Sequence, residues 1–431
     1  MNRTLAIDVK NHIGEEIKLN GWVHQIRLVG KIKFVILRDR TGLVQTIVLD
    51  KNIDISNLER ESAVAIFGKP KLEKQAPNGV ELEVSKIEVI EKAQSPLPFE
   101  VNRASELTNV KIDSILDHRP FSLRNLELAS IFRLQAEIVR AYADFMRSQG
   151  FLQIHTSKII SAGTEGGTNL FPIQYFEQKA YLAQSPQFYK QMMVGAGYER
   201  VFEIGFVYRA EDHATSRHIN EYLSLDFEMG FIEDEQDVIK MEIKLLQYMF
   251  EQLKKNCAQE LKMHNVELPE IKTIPQLRLS EAIKICTDKY NKKFENENDL
   301  DPEAERLICE YSKKEFASDF VFITHYPQSG RPFYTMPAED GLTRGFDLLY
   351  KGLEVTTGSQ RINNFEMLVS SMKKFGLKPE DFEFYLEIFR YGMPSHGGLA
   401  IGTERLTQQI LNLKNIREAC LFPRDRYRLT P

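Results

Sequence analysis

The hydrophobic pattern of this chain changes period once, and nothing else in the sequence restricts its folding as much. Up to about residue 92 apolar residues alternate with polar ones in short runs: EIKLNGWVHQIR, KIKFVILRD, LVQTIVLD, SAVAIFGKPKL and VELEVSKIEVI. That spacing sets one face of an extended strand against a core, and the intervening RDRTG and QAPNG supply turn residues. From about residue 126 the period lengthens. LELASIFRLQAEIVRAYADFMRSQGF places Ile131, Leu134, Ile138, Ala141 and Phe145 on one helical stripe, and Gly150 follows the last turn. Between them lies AQSPLPFEVN, 93–102, whose prolines disfavour helix and ladder alike. The expected division is a small all-β unit at 1–92, a hinge at 93–125 and a larger unit at 126–431.

Five short strands in so small a unit are what an OB barrel requires, a fold that commonly binds oligonucleotides on one strand face. The larger unit mixes both periods. Its 233–315 stretch reads mostly helical, strands return at DFVFITHYP and FDLLYKGLEVTT, and a late helix is expected at 364–376. This is an α+β pattern, with helices around an antiparallel sheet.

Bulk properties exclude several classes. Apolar runs such as FVFIT fall far short of the ~20 residues of a membrane span, and MNRTLAIDVKNHIG has no secretory signal pattern. Cys257, Cys286, Cys309 and Cys420 are scattered without a C-x-x-C pair, as expected of reduced thiols in a cytoplasmic protein rather than a zinc or disulfide framework. The net charge of −5 is uneven: residues 1–92 carry 15 Lys+Arg against 13 Asp+Glu, the remainder 41 against 48. Arg27, Lys31, Lys33, Arg38 and Arg40 crowd one segment against Asp39 alone. Such a strip marks either a polyanion partner or a charge-protected edge strand.

Four stretches of the larger unit carry chemistry. YRAEDHATSRHINEYLSLDFEMG, 208–230, reads as two antiparallel strands around a loop rich in arginine and carboxylate, either a solvated ion-pair hairpin or a ligand site. SAGTEGGTNLFP, 161–172, suits a closing loop and precedes YLAQSPQFYKQ, 181–191. FDLLYKGLEVTTGSQR, 346–361, sets Asp347, Glu354 and Arg361 on sheet strands, where buried charges need a partner, ligand or metal. HGGLAIGTERL, 396–406, puts glycines on a strand and Glu404-Arg405 at a helix start, a pattern shared by bulges, helix packing and close ligand approach. Together Arg209, Arg217 and Arg405 suffice for three phosphates, and no Walker A loop is present.

With its OB-like domain, proline-bearing hinge, Y-R-A-E, R-H-x-x-E and terminal G-x-E-R-L, the chain resembles the class II aminoacyl-tRNA synthetases. Within that class TEGGT, LAQSPQFYKQ, VFEIG, FDLLYKGLE, QRI, DFEFYLEIFRYGMP and NIREACLFPRDRYRLTP are similar, almost end to end, to the archaeal/eukaryotic-type aspartyl enzymes. The resemblance implies ATP and Mg²⁺ as cofactors, with Arg209, Glu354 and Arg405 as the catalytic set. It implies ATP binding by Arg209, Ala210, Glu211, Arg217, His218, Ile219, Glu354, Gly402, Thr403, Glu404 and Arg405. Aspartate is expected on Glu165, Gln187, Phe188, Tyr189, Lys190, Arg209, Asp226, Thr357 and Arg361, and Mg²⁺ on Glu354, Asp347 and Thr357. It further implies a cytoplasmic homodimer that acts on L-aspartate and tRNA and has no membrane contact.

The departures are Ala400 for a usual glycine, Ser157 for the proline of the dimer-forming motif, and Thr357 for a usual serine. A synthetase body that binds RNA without catalysis is one alternative; such paralogues usually lose the arginines, which this chain keeps. An amino-acid ligase acting without tRNA is another, disfavoured by the N-terminal domain. For the anticodon the resemblance points to Phe34 for stacking and Gln45 for hydrogen bonding; Phe34 as simple barrel core is the bland alternative. His24 and Pro77 resemble the non-discriminating members, which aspartylate tRNA-Asn as well as tRNA-Asp for later amidation by a separate amidotransferase. Discriminating enzymes, restricted to tRNA-Asp, tend to carry tryptophan and lysine there.

Overall fold

Ile17–Val29 is long enough to pair twice, and that closes the N-terminal sheet into a barrel. It runs antiparallel to Ile32–Asp39 on one side and to Ala63–Leu72 on the other. The order continues through Gly42–Val48 and Val80–Glu91, the one parallel junction within the barrel, back to Ala63–Leu72. Alternate residues fill the interior, among them Val23, Val35, Leu37, Val44, Val64, Ile66, Leu82 and Val84. The five-stranded OB barrel expected from the alternation is therefore present. This computed structural model describes residues 2–30, 32–102, 107, 109–163, 169–212 and 215–431, Pro77 by its backbone alone. Two compact units divide the chain, at 1–128 and 129–431.

The basic strip is smaller than its sequence suggests. Arg38 is buried, forking onto Glu61 at 3.0 and 2.6 Å, with Nη1 3.2 Å from His24 Nδ1. A guanidinium so paired is part of the barrel's own architecture rather than a surface cation. Lys31 lies outside the described residues.

The second unit is built on eight strands in the order Gln276–Arg278, Phe320–Thr324, Gly345–Tyr350, Leu353–Arg361, His396–Gly402, Glu221–Gly230, Arg200–Tyr208, Leu152–Gln153. All pairings are antiparallel except the outermost at each edge. The helix Glu235–Asn256 starts where the Asp234 carboxylate accepts from the Gln236 N–H and ends on Lys254 and Lys255, matching cap and dipole at both termini. Its apolar stripe (Val238, Leu245, Leu246, Met249 and Leu253) is buried, and Phe250 meets the stacked Phe320–Tyr350 pair, whose rings lie 4.1 Å apart. The late helix runs Phe365–Lys374. All four cysteines are buried free thiols. Among the described residues no helix is long and apolar enough to cross a membrane.

Candidate active site

The hairpin expected at 208–230 is present: Arg200–Tyr208 pairs with Glu221–Gly230 from Arg200–Met229 through to Tyr208–Glu221. The intervening loop leaves one end of the sheet carrying Arg209, Glu211, Arg217 and His218. On its other side Glu221–Gly230 meets His396–Gly402, with Asp226 opposite Ala400 and Glu228 opposite Gly398. Leu353–Arg361 follows, with Thr357 opposite Ala400 and Ser359 opposite Gly398. Alternation then places Ser224, Asp226, Glu228, Thr357, Ser359 and Arg361 on one face.

At the loop end of that face lies a cleft lined by Arg209, Glu211, Arg217, His218, Ile219, Tyr222, Ser224, Glu354, Val355, Thr357, Ala400, Gly402, Glu404, Arg405 and Ile416. Three arginines converge there, Arg209 and Arg217 from the hairpin loop and Arg405 from the helix Thr403–Leu411, as an anionic ligand requires. Arg209 lies 5.8 Å from the Tyr222 ring centroid. Arg217 pairs with Glu305, yet among the described residues its buried Nη1 has no hydrogen-bond partner, an arrangement suited to a phosphate oxygen. Arg405 lies 3.5 Å from the Glu354 carboxylate and donates to the Glu354 carbonyl at 3.1 Å. Burial opposes the charge on Glu354, but Arg405, the Thr357 hydroxyl at 2.9 Å, Arg331 and Arg209 hold its carboxyl below the usual range.

Of the expected nucleotide contacts, Thr403 and Ala210 do not line the cleft, whereas Glu404 lines it with its carboxylate bound to the backbone. Glu404 accepts from the Leu223 N–H at 3.1 and 3.2 Å, and burial pushes its carboxyl up to about 8, so it ties the helix start to the neighbouring strand. Thr403 is fully buried and Ala210 opens onto a separate cleft.

Below the first cleft the same face becomes a closed polar network. Lys190 (1% exposed) donates to Asp226 at 2.9 Å and to the Leu399 carbonyl at 3.1 Å, and sits 3.5 Å from Glu228. Arg361 binds Glu228 at 2.9 and 3.3 Å, Ser359 at 2.6 Å, the Gly398 carbonyl at 2.9 Å and Gln187 at 3.3 Å. Ser224, which lines the cleft, donates to Asp226 at 2.5 Å and so links the two regions. Two cations balance two carboxylates. Burial works against the charge of Glu228, yet Arg361 and Lys190 keep its carboxyl below the usual range. Such a network is rigid, because removing any member strands a buried charge.

Gln187, Lys190, Asp226 and Arg361 thus meet as expected from sequence. Phe188 packs instead in an aromatic cluster, 4.4 Å from the Tyr385 ring, and Tyr189 is half-buried outside the cleft. Glu165 lies outside the described residues. Glu228 was not among the expected ligands. Its one sequence signal is its place two residues beyond Asp226.

Gly398 shows how tight the network is, since a Cβ there would overlap the Phe227 carbonyl and the Glu228 carboxylate. Gly398→Ala is expected to destabilise the protein by about 1–3 kcal/mol, read as a lowered midpoint in urea unfolding.

Of the expected metal ligands, Glu354 and Thr357 reach the cleft, whereas Asp347 is buried with its carboxylate forked onto Arg331. Among the described residues no three His, Cys, Asp or Glu side chains cluster as a metal cage. Mg²⁺ fits this set nonetheless, because it keeps several waters and takes one or two carboxylates together with substrate phosphates.

In the barrel, Phe34 stands opposite Ile47, and Gln45 opposite Ile36, so all four share the outward face with Arg27. Phe34 is half-buried, and Gln45 donates to Glu81 at 3.0 Å. His24 sits in a bulge between Val23 and Gln25 and is 8% exposed; burial, then Arg38, lowers its pKa to about 4, so it is neutral at pH 7. Pro77 opens the turn Pro77–Gly79 between two barrel strands.

Comparison with known proteins agrees with this geometry. The family described as tRNA synthetases class II (D, K and N) matches residues 111–426, and an OB-fold nucleic acid binding domain matches 17–90. The chain is 47% identical to the aspartate–tRNA(Asp/Asn) ligase of Deinococcus radiodurans, covering 100% of this chain and 99% of that one. It is 45% identical to the ligase of the same name from Thermus thermophilus, over 100% of both. The aspartate–tRNA(Asp) ligase of Pyrococcus abyssi is 42% identical over 97% of each. Among solved structures, asparaginyl-tRNA synthetase from Pyrococcus horikoshii with asparaginyl-adenylate superposes with a TM-score of 0.93 at 29% identity, covering 100% of both chains.

Proposed function

The chain belongs to the class II tRNA synthetases (D, K and N), and from that premise we propose that it activates L-aspartate with ATP and transfers it to tRNA-Asp and tRNA-Asn. The observation that carries this reading is the juxtaposition of the arginine-lined cleft with the buried Lys190–Asp226–Glu228–Arg361 network. The cleft accounts for a polyphosphate, and the cations beneath it for an amino acid with an anionic side chain.

The reaction asks for no general base. The α-carboxylate of aspartate attacks the α-phosphorus in line, a P–O bond forms, and pyrophosphate leaves. Arg209 and Arg405 neutralise the charge on the phosphates, while Lys190 and Arg361 orient the amino acid. Glu354 and the Thr357 hydroxyl would hold Mg²⁺, which when bound adds positive charge beside the phosphates. The aspartyl group then passes to the 3′-hydroxyl of the terminal adenosine of tRNA, releasing AMP. Phe34 and Gln45 supply the anticodon face, and the enzyme works as a cytoplasmic homodimer. An aspartate placed on tRNA-Asn requires a later amidotransferase.

The two anticodons share their first two bases and differ at the third. A neutral, nearly buried His24 offers no extended aromatic surface to that third base. One missing base contact is worth about 1–3 kcal/mol, so the two transcripts should be aspartylated with kcat/KM values within about tenfold. Charging purified transcripts of both tests the proposal. A preference for tRNA-Asp beyond about a hundredfold would identify a discriminating enzyme, and no charging of either would remove the synthetase reading.

A further inference from the structure

Arg217 reaches the cleft from the loop between the strands Arg200–Tyr208 and Glu221–Gly230. Its backbone is tied nearby: the Arg217 N–H donates to the Thr215 hydroxyl at 3.1 Å, and the Ser216 carbonyl accepts from the Ile416 N–H at 2.9 Å. Neither bond fixes the side chain. A long, flexible side chain that a ligand must immobilise loses rotamer entropy on binding, and holding it beforehand removes that cost.

The guanidinium is held by an element outside the hairpin. Its Nη2 donates to the carboxylate of Glu305, a residue 9% exposed, while the buried Nη1 has no hydrogen-bond partner among the described residues. Glu305 itself sits on a firmly anchored helix, Pro302–Phe316. The Asp301 carboxylate accepts from the Glu303 and Ala304 N–H groups at 3.0 and 2.9 Å, and Lys292 pins Asp301 and Glu303 at 2.8 and 2.7 Å. Ala304, Ile308 and Cys309 pack into one core with Val321, Ile323 and Leu349 of the central sheet. Arg217 lines the cleft, whereas Glu305 does not. The carboxylate therefore grips one nitrogen from outside the ligand's space and leaves the other for a phosphate oxygen. Burial works against its charge and pushes the Glu305 carboxyl up to about 7, with Arg217 pulling the other way. For packing alone an apolar side chain would serve this position at least as well.

We propose that Glu305 is a positioning residue for ATP: from its fixed helix it presents the Arg217 guanidinium to the phosphates, and it acts only through that guanidinium. The inference rests on the reading of the cleft as the ATP site and adds to it a residue that touches no substrate itself.

Aspartate-dependent ATP–pyrophosphate exchange tests it, with full-length Glu305→Ala, Glu305→Gln, Arg217→Ala and the double variant Arg217→Ala/Glu305→Ala. Glu305→Ala should raise the KM for ATP about tenfold and leave the KM for aspartate within about twofold of wild type. Glu305→Gln keeps the shape and an acceptor for Nη2 without the charge, so it should raise the KM for ATP about threefold; it also carries the test where alanine impairs folding. The double variant should match Arg217→Ala within about twofold, because without the guanidinium there is nothing left to position. A residue that served the fold alone would instead raise both KM values together, or add its defect to that of Arg217→Ala. An unchanged or lowered KM for ATP in Glu305→Ala, a matching rise in the KM for aspartate, a glutamine variant as impaired as alanine, or additive effects in the double variant would overturn the proposal. Wild-type enzyme in the same series keeps the two ideas apart: if it shows no exchange the function itself fails, whereas normal wild-type exchange with an unaltered Glu305→Ala removes only the positioning role.

Discussion

Arg209→Ala is expected to reduce aspartate-dependent ATP–pyrophosphate exchange by about a thousandfold or more, with folding nearly unchanged. Arg209 directly follows the Arg200–Tyr208 strand at the mouth of the cleft, with its guanidinium beside Tyr222. Loss of a single preorganised donor commonly costs about 10²–10³-fold, and an arginine that neutralises a transferring phosphoryl group can supply about 10³–10⁵-fold. The fold does not need this side chain in the same way. The backbone bond from the Arg209 N–H to the Asn220 carbonyl, 2.9 Å, survives in alanine. Anticodon reading is assigned to the other compact unit, so tRNA affinity should fall little. Thermal unfolding, tRNA binding and exchange measured on one preparation check all three parts. Near-normal exchange would reduce the hairpin to a surface ion-pair array, which contributes little to anything.

What was legible in the sequence follows the range of the forces involved. Alternation and the 3.6-residue stripe are local, so the barrel strands, the Leu126–Ser148 helix and the 208–230 hairpin could be read directly. Lys190, Asp226 and Arg361 came from motif resemblance, and they meet in the fold. Glu228 escaped because its role depends on register: only when Gly398 lies opposite does the carboxylate gain Arg361. Arg331 was hidden for another reason. It belongs to an irregular segment whose pattern says nothing about direction, yet it takes both oxygens of Asp347. Arg38 misled in the opposite sense, since a basic strip in one dimension became a buried pair with Glu61 in three. Burial of charge is a property of the assembled fold, and no local period encodes it.

Aspartate should be preferred over asparagine by about a thousandfold or more in exchange kcat/KM, and the polar network explains the size of that gap. Lys190 and Arg361 are nearly inaccessible to water and already balanced by Asp226 and Glu228. An entering side-chain carboxylate joins this array as a third acceptor, in a setting where charge-assisted bonds are strong. An asparagine amide offers one neutral oxygen in place of a charged carboxylate, so its bonds to Lys190 and Arg361 lose their charge assistance. Arg361→Leu should erase the preference, and it should also cost about 3–5 kcal/mol of stability, because Glu228 would be left buried with Lys190 as its one remaining cation. Unfolding midpoints therefore have to accompany the kinetics. The double variant Arg361→Leu/Glu228→Gln removes one charge of each sign and should recover part of that stability while leaving the preference lost. Comparable exchange with both amino acids in the wild-type enzyme would show that the buried cations serve the fold alone.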